Sequence, residues 1–101
     1  MNEVYVKKDD GQIRFIEISG HADFANYGED VVCSAISAVV FGSLNSLVEF
    51  GLNEKNIQID EAFIRIESNM EYDINLICKN MIIQLETIQG SYPEYIKIKS
   101  N

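Results

Sequence analysis

The pattern of apolar and polar positions predicts a β-hairpin at the start of the chain. Residues 3–8 and 12–19 carry β-branched and aromatic side chains on either side of Asp9, Asp10 and Gly11. A glycine at that point can take the positive φ of a tight turn. The second segment is apolar on both faces, so we expect it to be the more central strand.

Apolar residues at three- and four-residue steps predict a first helix from about 31 to 50. Asp30 is the residue type favoured as an N-cap, and Gly51 follows the last apolar position, as is common after a helix. This placement puts Cys33 at the third helical position. Because small residues in the segment allow close approach of another element, we expect the helix to be mostly buried.

A second helix is predicted between Ser68 and Gly90. Ser68 and Glu71 have the spacing of a capping box, and Gly90 and Pro93 follow the apolar positions at the other end. Cys78 lies on the apolar face of this helix, so we expect it to be a core residue.

Alternating apolar and polar residues complete the predicted fold. Residues 56–67 form one bent strand or two short strands, and residues 94–99 form a last strand. The predicted order is ββαβαβ. It indicates an α/β (α+β) fold with a single small sheet and two helices packed on it, in one domain over residues 1–101.

Composition and charge narrow the class of protein. Hydrophobic residues make up 47% of the chain and charged residues 24%, which is typical of a globular domain. The net charge of −8 disfavours direct binding of nucleic acid and suits a basic protein partner. Residues 1–5 lack the basic and apolar segments of a secretory signal, and polar residues interrupt the apolar run from Val31 to Phe50, so we expect no signal sequence, no membrane span and a cytoplasmic location.

The residues that can carry chemistry are few. The chain has two cysteines and one histidine, without a Cys-x-x-Cys pair, which predicts free thiols, no metal site and no cofactor. His21 precedes Cys33, and a cysteine nucleophile needs such a base, because the thiolate is the attacking form. Backbone N–H groups at the start of the first helix would stabilise the oxyanion.

The neighbours of these two residues have plain alternatives to a functional role. Asp30 either caps the helix or orients His21, and Ser37 lies one turn after Cys33, where its hydroxyl contacts the site or bonds back to the Cys33 carbonyl. Cys33 itself could be a small buried hydrophobe.

The residues between the second strand and the first helix are predicted to form a loop. Gly20, Ala22, Tyr27 and Gly28 give it small and aromatic residues without periodicity, and it either closes over a bound peptide or merely connects the two elements.

The motifs Gly20-His21-Ala22 and Asp30-Val31-Val32-Cys33, with Ser37 four residues later, resemble the Prp family of ribosomal-processing cysteine proteases. The resemblance implies an endopeptidase that removes a short N-terminal extension from a protein of the large ribosomal subunit. In that reading Cys33 is the nucleophile, His21 is the base, Asp30 and Ser37 support them, and the protein is a homodimer.

Two other classes of function remain open on the sequence. A non-catalytic ribosome-assembly module could bind a basic ribosomal-protein tail through the acidic surface, and it would need no reactive thiol. A thiol redox sensor would need a resolving cysteine, and none is evident near Cys33.

Overall fold

A computed structural model describes residues 1–20 and 27–101, and of residues 27–30 it describes the backbone only. It contains five strands, two α-helices and a short 3-10 helix over Glu54–Asn56. In chain order the elements are β1 (Asn2–Asp9), β2 (Gln12–Ser19), α1 (Tyr27–Glu49), β3 (Ile57–Asp60), β4 (Phe63–Glu67), α2 (Tyr72–Ser91) and β5 (Ile96–Ser100).

The predicted hairpin is confirmed, and its second strand is central. Asp10 and Gly11 form the two-residue turn with φ of 53° and 79°, and Asp9 pairs with Gln12 beside it. The strands lie in the order β3-β4-β2-β1-β5. All neighbours are antiparallel except β1 and β5, which are parallel. The predicted class of one sheet with two helices is therefore confirmed, with residues 56–67 forming two strands.

One hydrophobic core joins the sheet to both helices. Val4 and Val6 of β1 alternate with the partly exposed Tyr5 and Lys7, so one face of the strand is buried and the other faces away from the core. The buried helix positions that meet this face include Val32, Ile36, Val40, Leu44 and Leu47 of α1 and Ile74, Cys78, Met81 and Leu85 of α2. The helices therefore cover one face of the sheet.

The start of α1 corrects the prediction. The helix begins at Tyr27, so Asp30 lies in its first turn and is not the N-cap. An aspartate is also favourable in a first turn, because its negative charge is attracted to the positive end of the helix dipole. Residue type alone therefore did not distinguish a cap from a first-turn position, and Tyr27 and Gly28 belong to the helix rather than to the loop.

The exposed face of α1 corrects a second expectation. Val31, Phe41 and Val48 are between 40% and 46% exposed, so the helix is not mostly buried. The segment Val31–Glu49 has a mean hydropathy of 1.9 and is long and apolar enough to cross a membrane, contrary to the prediction. That is weak support for a membrane role, because the apolar positions on its other face form the core with the sheet and α2.

The start of α2 also differs from the prediction. Glu71 is the N-cap residue, and its side chain makes no capping hydrogen bond. The Ser68 hydroxyl accepts from the Met70 N–H at 3.0 Å instead, so the capping box is wrong. The predicted end near Gly90 and Pro93 is confirmed by the last helical residue, Ser91.

Candidate functional site

An open, mostly apolar groove lies between α1 and the β3–β4 hairpin, at the end of β2. Its volume is about 170 Å³. The apolar side chains that line it are those of Ile18, Ile36, Val40, Phe41, Ile59, Phe63 and Ile64. Cys33 and Ser37 of α1 line it too, together with Asn2 and Gly20. The groove thus brings three of the predicted site residues, Gly20, Cys33 and Ser37, next to a surface that suits apolar ligand groups.

Cys33 lies in the second turn of α1 and is half-buried. The helix begins six residues earlier, so the four N–H groups without a helical partner lie in the turn before Cys33 rather than around it. The predicted position of Cys33 in the first turn is therefore wrong. Its thiol remains accessible from the groove.

Ser37 follows Cys33 by one helical turn and is exposed at the groove. Residues four apart lie on one face of a helix, which explains why both reach the same groove. Its hydroxyl is therefore placed to contact whatever binds beside the Cys33 thiol.

Cys78 has the opposite surroundings. It is 1% exposed within the core, and burial raises the pKa of its thiol to about 11. A buried thiol in apolar surroundings stays protonated and is a poor nucleophile. The prediction that Cys78 is a core residue is confirmed, and both cysteines are free.

Gly20 directly follows β2 at the edge of the groove. Its φ is +83°, and its N–H donates to the Ala62 carbonyl oxygen at 3.0 Å. A Cβ at this position would collide with the Met1 carbonyl oxygen and lie 3.5 Å from Asn2 Cα. Because glycine alone fits both the φ and the space, Gly20 fixes the point from which the chain continues to His21.

The remaining predicted residues are described in part or not at all. His21 and Ala22, and with them most of the predicted loop, lie outside the described residues. The backbone of Tyr27, Gly28 and Asp30 forms the first turn of α1. Among the side chains of residues 1–20 and 31–101, no three His, Cys, Asp or Glu come together to hold a metal ion.

Several residues of the groove were missed by the sequence analysis. Asn2, Phe41, Ile59 and Phe63 come from four different elements. Only the strand order and the packing of α1 bring them together, so nothing local in the sequence marks them. Asp60 also lines the groove, and its carboxylate accepts from Gln58 Nε2 at 2.6 Å.

Chemically, the groove offers a half-buried thiol beside apolar walls. Such a thiol can attack a carbonyl carbon of a bound chain once a base takes its proton. The described part of the site supplies an accessible thiol and an apolar surface, and His21 is the only histidine of the sequence.

Comparisons with known proteins agree on one family. A family model described as cysteine protease Prp matches residues 1–97. The ribosomal processing cysteine protease Prp of Staphylococcus aureus strain Mu50 is 33% identical over 94 residues, which cover 89% of each chain. The protein of the same name from Bacillus subtilis strain 168 is 33% identical over 101 residues, covering 92% of this chain and 89% of the relative.

A solved structure is similar over its full length. The crystal structure of an essential ribosomal processing protease Prp from S. aureus, in complex with a covalently linked product peptide, superimposes with a TM-score of 0.88. The two chains are 31% identical and each is covered completely. The arrangement of the five strands and two helices is therefore shared with that protein.

Proposed function

This chain belongs to the cysteine protease Prp family, and we propose that it removes the N-terminal extension of a large-subunit ribosomal protein, with Cys33 as nucleophile and His21 as general base. The chain is a cysteine protease. The observation that carries the assignment of the nucleophile is the contrast between its two thiols. Cys33 lines the groove, whereas Cys78 is enclosed in the core.

The proposed reaction has two steps. In the first, His21 takes the proton of the Cys33 thiol, and the sulfur attacks the carbonyl carbon of the scissile peptide bond. The C–N bond then breaks, His21 gives its proton to the leaving amine, and a thioester joins Cys33 to the extension. In the second, His21 takes a proton from water, whose oxygen attacks the thioester and releases the extension as a carboxylic acid, and the proton returns to Cys33.

Two further residues are proposed to support this chemistry. Ser37 is exposed in the groove one turn from Cys33, which supports a role for its hydroxyl in holding the substrate. Asp30 is proposed to orient His21, and this proposal gains support because Asp30 does not serve as the helix N-cap. A carboxylate that fixes the orientation of a catalytic imidazole is a common arrangement in hydrolases.

The walls of the groove favour a particular substrate. Side chains of α1 and of three strands make it apolar, so an extension rich in aliphatic and aromatic residues fits it. We propose that Gly20, Ala22, Tyr27 and Gly28 contact the same substrate. Gly20 is at the groove, and the other three lie in the chain segment that connects it to Cys33.

The decisive experiment uses the organism's own large-subunit ribosomal protein carrying its N-terminal extension. We expect the intact enzyme to shorten this protein by the mass of the extension, and Cys33→Ala and His21→Ala to leave it uncut. Cys78→Ala is the matched control and should cut at the wild-type rate in its folded form. Cleavage by Cys33→Ala would contradict the assignment. An uncut protein that co-purifies with the wild type would favour the assembly module.

We further propose a homodimer in the cytoplasm. Exposed apolar side chains at the two ends of α1, Val31 in its second turn and Phe50 directly after its last residue, at 42% and 63% exposure, support association with a second copy. Two free thiols suit a reducing compartment. Sedimentation equilibrium should give twice the chain mass, and a monomer at every concentration tested would contradict the proposal.

A further inference from the structure

We propose that the polypeptide substrate binds as an added strand along the free edge of β3, with its main chain hydrogen-bonded to the N–H and C=O of Ile59 and to the C=O of Ile57. The inference rests on the proposed function, because it takes the occupant of the Cys33 groove to be a polypeptide. Four observations carry it: the position of β3 in the sheet, the direction of its free backbone groups, its continuity with the groove, and the exposed apolar side chain on a strand without lysine.

β3 is an edge strand, since β4 is its only neighbour in the sheet among residues 1–20 and 27–101. A two-residue turn at Glu61 and Ala62 joins the two strands, and Asp60 pairs with Phe63 beside it. Antiparallel pairs alternate between hydrogen-bonded and non-bonded, and the pair that flanks a two-residue turn is bonded. The N–H and C=O groups of Asp60 and Gln58 therefore face β4, and those of Ile59 face outward. The C=O of Ile57 also faces outward, whereas its N–H donates to the Glu54 carbonyl oxygen.

The same free edge borders the catalytic groove. Ile59 lines the groove that contains Cys33, and it also lines a neighbouring hollow of about 310 Å³. Phe41 is the second residue shared by the two, and Ile57 and Val48 extend the hollow away from Cys33. An extended chain on β3 would thus pass along a continuous apolar surface that leads to the nucleophile.

The two edges of the sheet differ in their protection. Lysines on an edge strand oppose the addition of another strand, and β5 at the opposite edge carries Lys97 and Lys99. β3 carries no lysine, and its Ile59 is 55% exposed. An edge strand that exposes an apolar side chain favours pairing with another extended chain. The groove beside β3 identifies that partner as the substrate rather than an unrelated chain.

The proposed geometry limits how many substrate residues the enzyme recognises and at which positions. Four residues of β3 span about 13 Å, so about four substrate residues can pair with it. Alternate side chains of the added strand would point into the hollow beside Phe41, and the intervening ones would point to the outer face of the sheet. Main-chain pairing gives affinity without dependence on sequence, and the hollow selects apolar residues at every second position.

Amide exchange measured by NMR tests the pairing directly. The probe is a synthetic peptide that spans the extension and the first mature residues of the ribosomal protein, added to Cys33→Ala so that it is not cut. We expect exchange at the Ile59 amide to slow at least tenfold, whereas the Ile57, Gln58 and Asp60 amides, which are bonded within the protein, change little. Unchanged exchange at Ile59 with saturating peptide would overturn the proposal. Slower amide exchange that depends on protein concentration in the absence of peptide would also overturn the proposal, because a second copy of the chain would then occupy the edge of β3.

Kinetics with the active enzyme provide an independent test. Ile59→Ala removes the apolar side chain, and Ile59→Pro also removes the outward N–H while leaving the bonds to β4 intact. We expect a severalfold rise in KM for the first and a further rise of about tenfold for the second, from the loss of one hydrogen bond. Ile83→Ala is the matched control, because Ile83 is 60% exposed on α2 and lines no described groove.

A scan of N-methylated peptides separates this proposal from the proposed function. Methylation at alternate residues of the extension should lower kcat/KM about tenfold per lost bond, and methylation between them should have little effect. Cleavage that depends on Cys33 with a flat methylation profile would overturn strand addition and leave the protease assignment intact. If Cys33 is not required for cleavage, the proposed function fails, and the exchange experiment still decides whether a peptide binds β3.

Discussion

Replacing Gly20 by alanine tests how tightly the end of β2 is held. Gly11→Ala is the matched control, because both glycines have a positive φ, +79° at Gly11 and +83° at Gly20. A side chain in this conformation costs about 1 kcal/mol at either position. Gly11 has open space around it, so we expect no further cost there.

The neighbouring backbone leaves no space for the methyl group that alanine would add at Gly20. It would overlap the Met1 carbonyl oxygen, and the next residue is fixed because the Asn2 N–H donates to the Tyr95 carbonyl oxygen at 2.9 Å. Moving Met1 away strains that bond and the one from the Gly20 N–H to Ala62, each worth about 1 kcal/mol. We therefore expect Gly20→Ala to lose about 2–3 kcal/mol of unfolding free energy, against about 1 kcal/mol for Gly11→Ala.

Urea unfolding followed by circular dichroism measures both values. For a chain of about 100 residues, each 1 kcal/mol also lowers Tm by about 4–8 °C, so thermal melts give a second reading. Activity per folded molecule should fall in Gly20→Ala and not in Gly11→Ala, because Gly20 borders the groove and directly precedes His21. Equal stability losses in the two variants would refute the reasoning from the Met1 contact.

Three further predictions concern the core and the outer face of the sheet. Burial raises the pKa of the Cys78 thiol from 9.0 to about 11, so above pH 9 this thiol loses its proton more readily in the unfolded chain than in the folded one. Between pH 9 and 11 the wild type should therefore lose about 2–3 kcal/mol of unfolding free energy relative to Cys78→Val. Parallel pH curves of the two proteins in urea titrations would contradict this. Asn75→Ala should cost about 3 kcal/mol by leaving the buried N–H and C=O of Ile13 without partners, whereas the exposed Asn80→Ala should cost little in the same urea titrations. Arg65→Lys should lose about 1 kcal/mol of unfolding free energy, because only a guanidinium both stacks on Phe15, at 4.0 Å from the ring centre, and pairs with Glu17. Arg14→Lys is the control, since Arg14 forms only an exposed pair with Asp9. Equal melting temperatures of the two variants would show that the stacking contributes nothing.

Local signals in the sequence predict the elements well where turn chemistry and periodicity agree. Asp10 and Gly11 mark the first turn because both residue types tolerate a positive φ. The turn between β3 and β4 is different, since Ala62 takes a φ of +61° and alanine does not signal a turn. The pattern of residues 56–67 is therefore compatible with either one bent strand or two short strands.

Long-range features could not be read from the chain. No local pattern indicates that β5 adds parallel to β1, or that this order places Asn2 and Ile59 at the same groove. The helical pattern also does not show which apolar residues stay exposed, because Phe41 and Val40 have the same character and only Val40 faces the core. Cys33 was recognised from its motif, whereas the walls around it depend on the tertiary structure.

The parallel pairing of β1 with β5 has a consequence for how the enzyme acquires its structure. Asn2 contacts Tyr95 across 93 positions of sequence, and closing a loop of that length costs about 4 kcal/mol in chain entropy. The first hairpin and the two helices can form from local contacts, but β1 gains its second neighbour only when residues 96–100 arrive. Since Asn2 also lines the groove, the wall beside Cys33 is completed at the last stage of folding. A nascent chain still lacking β5 should therefore have little proteolytic activity on the ribosome that synthesises it.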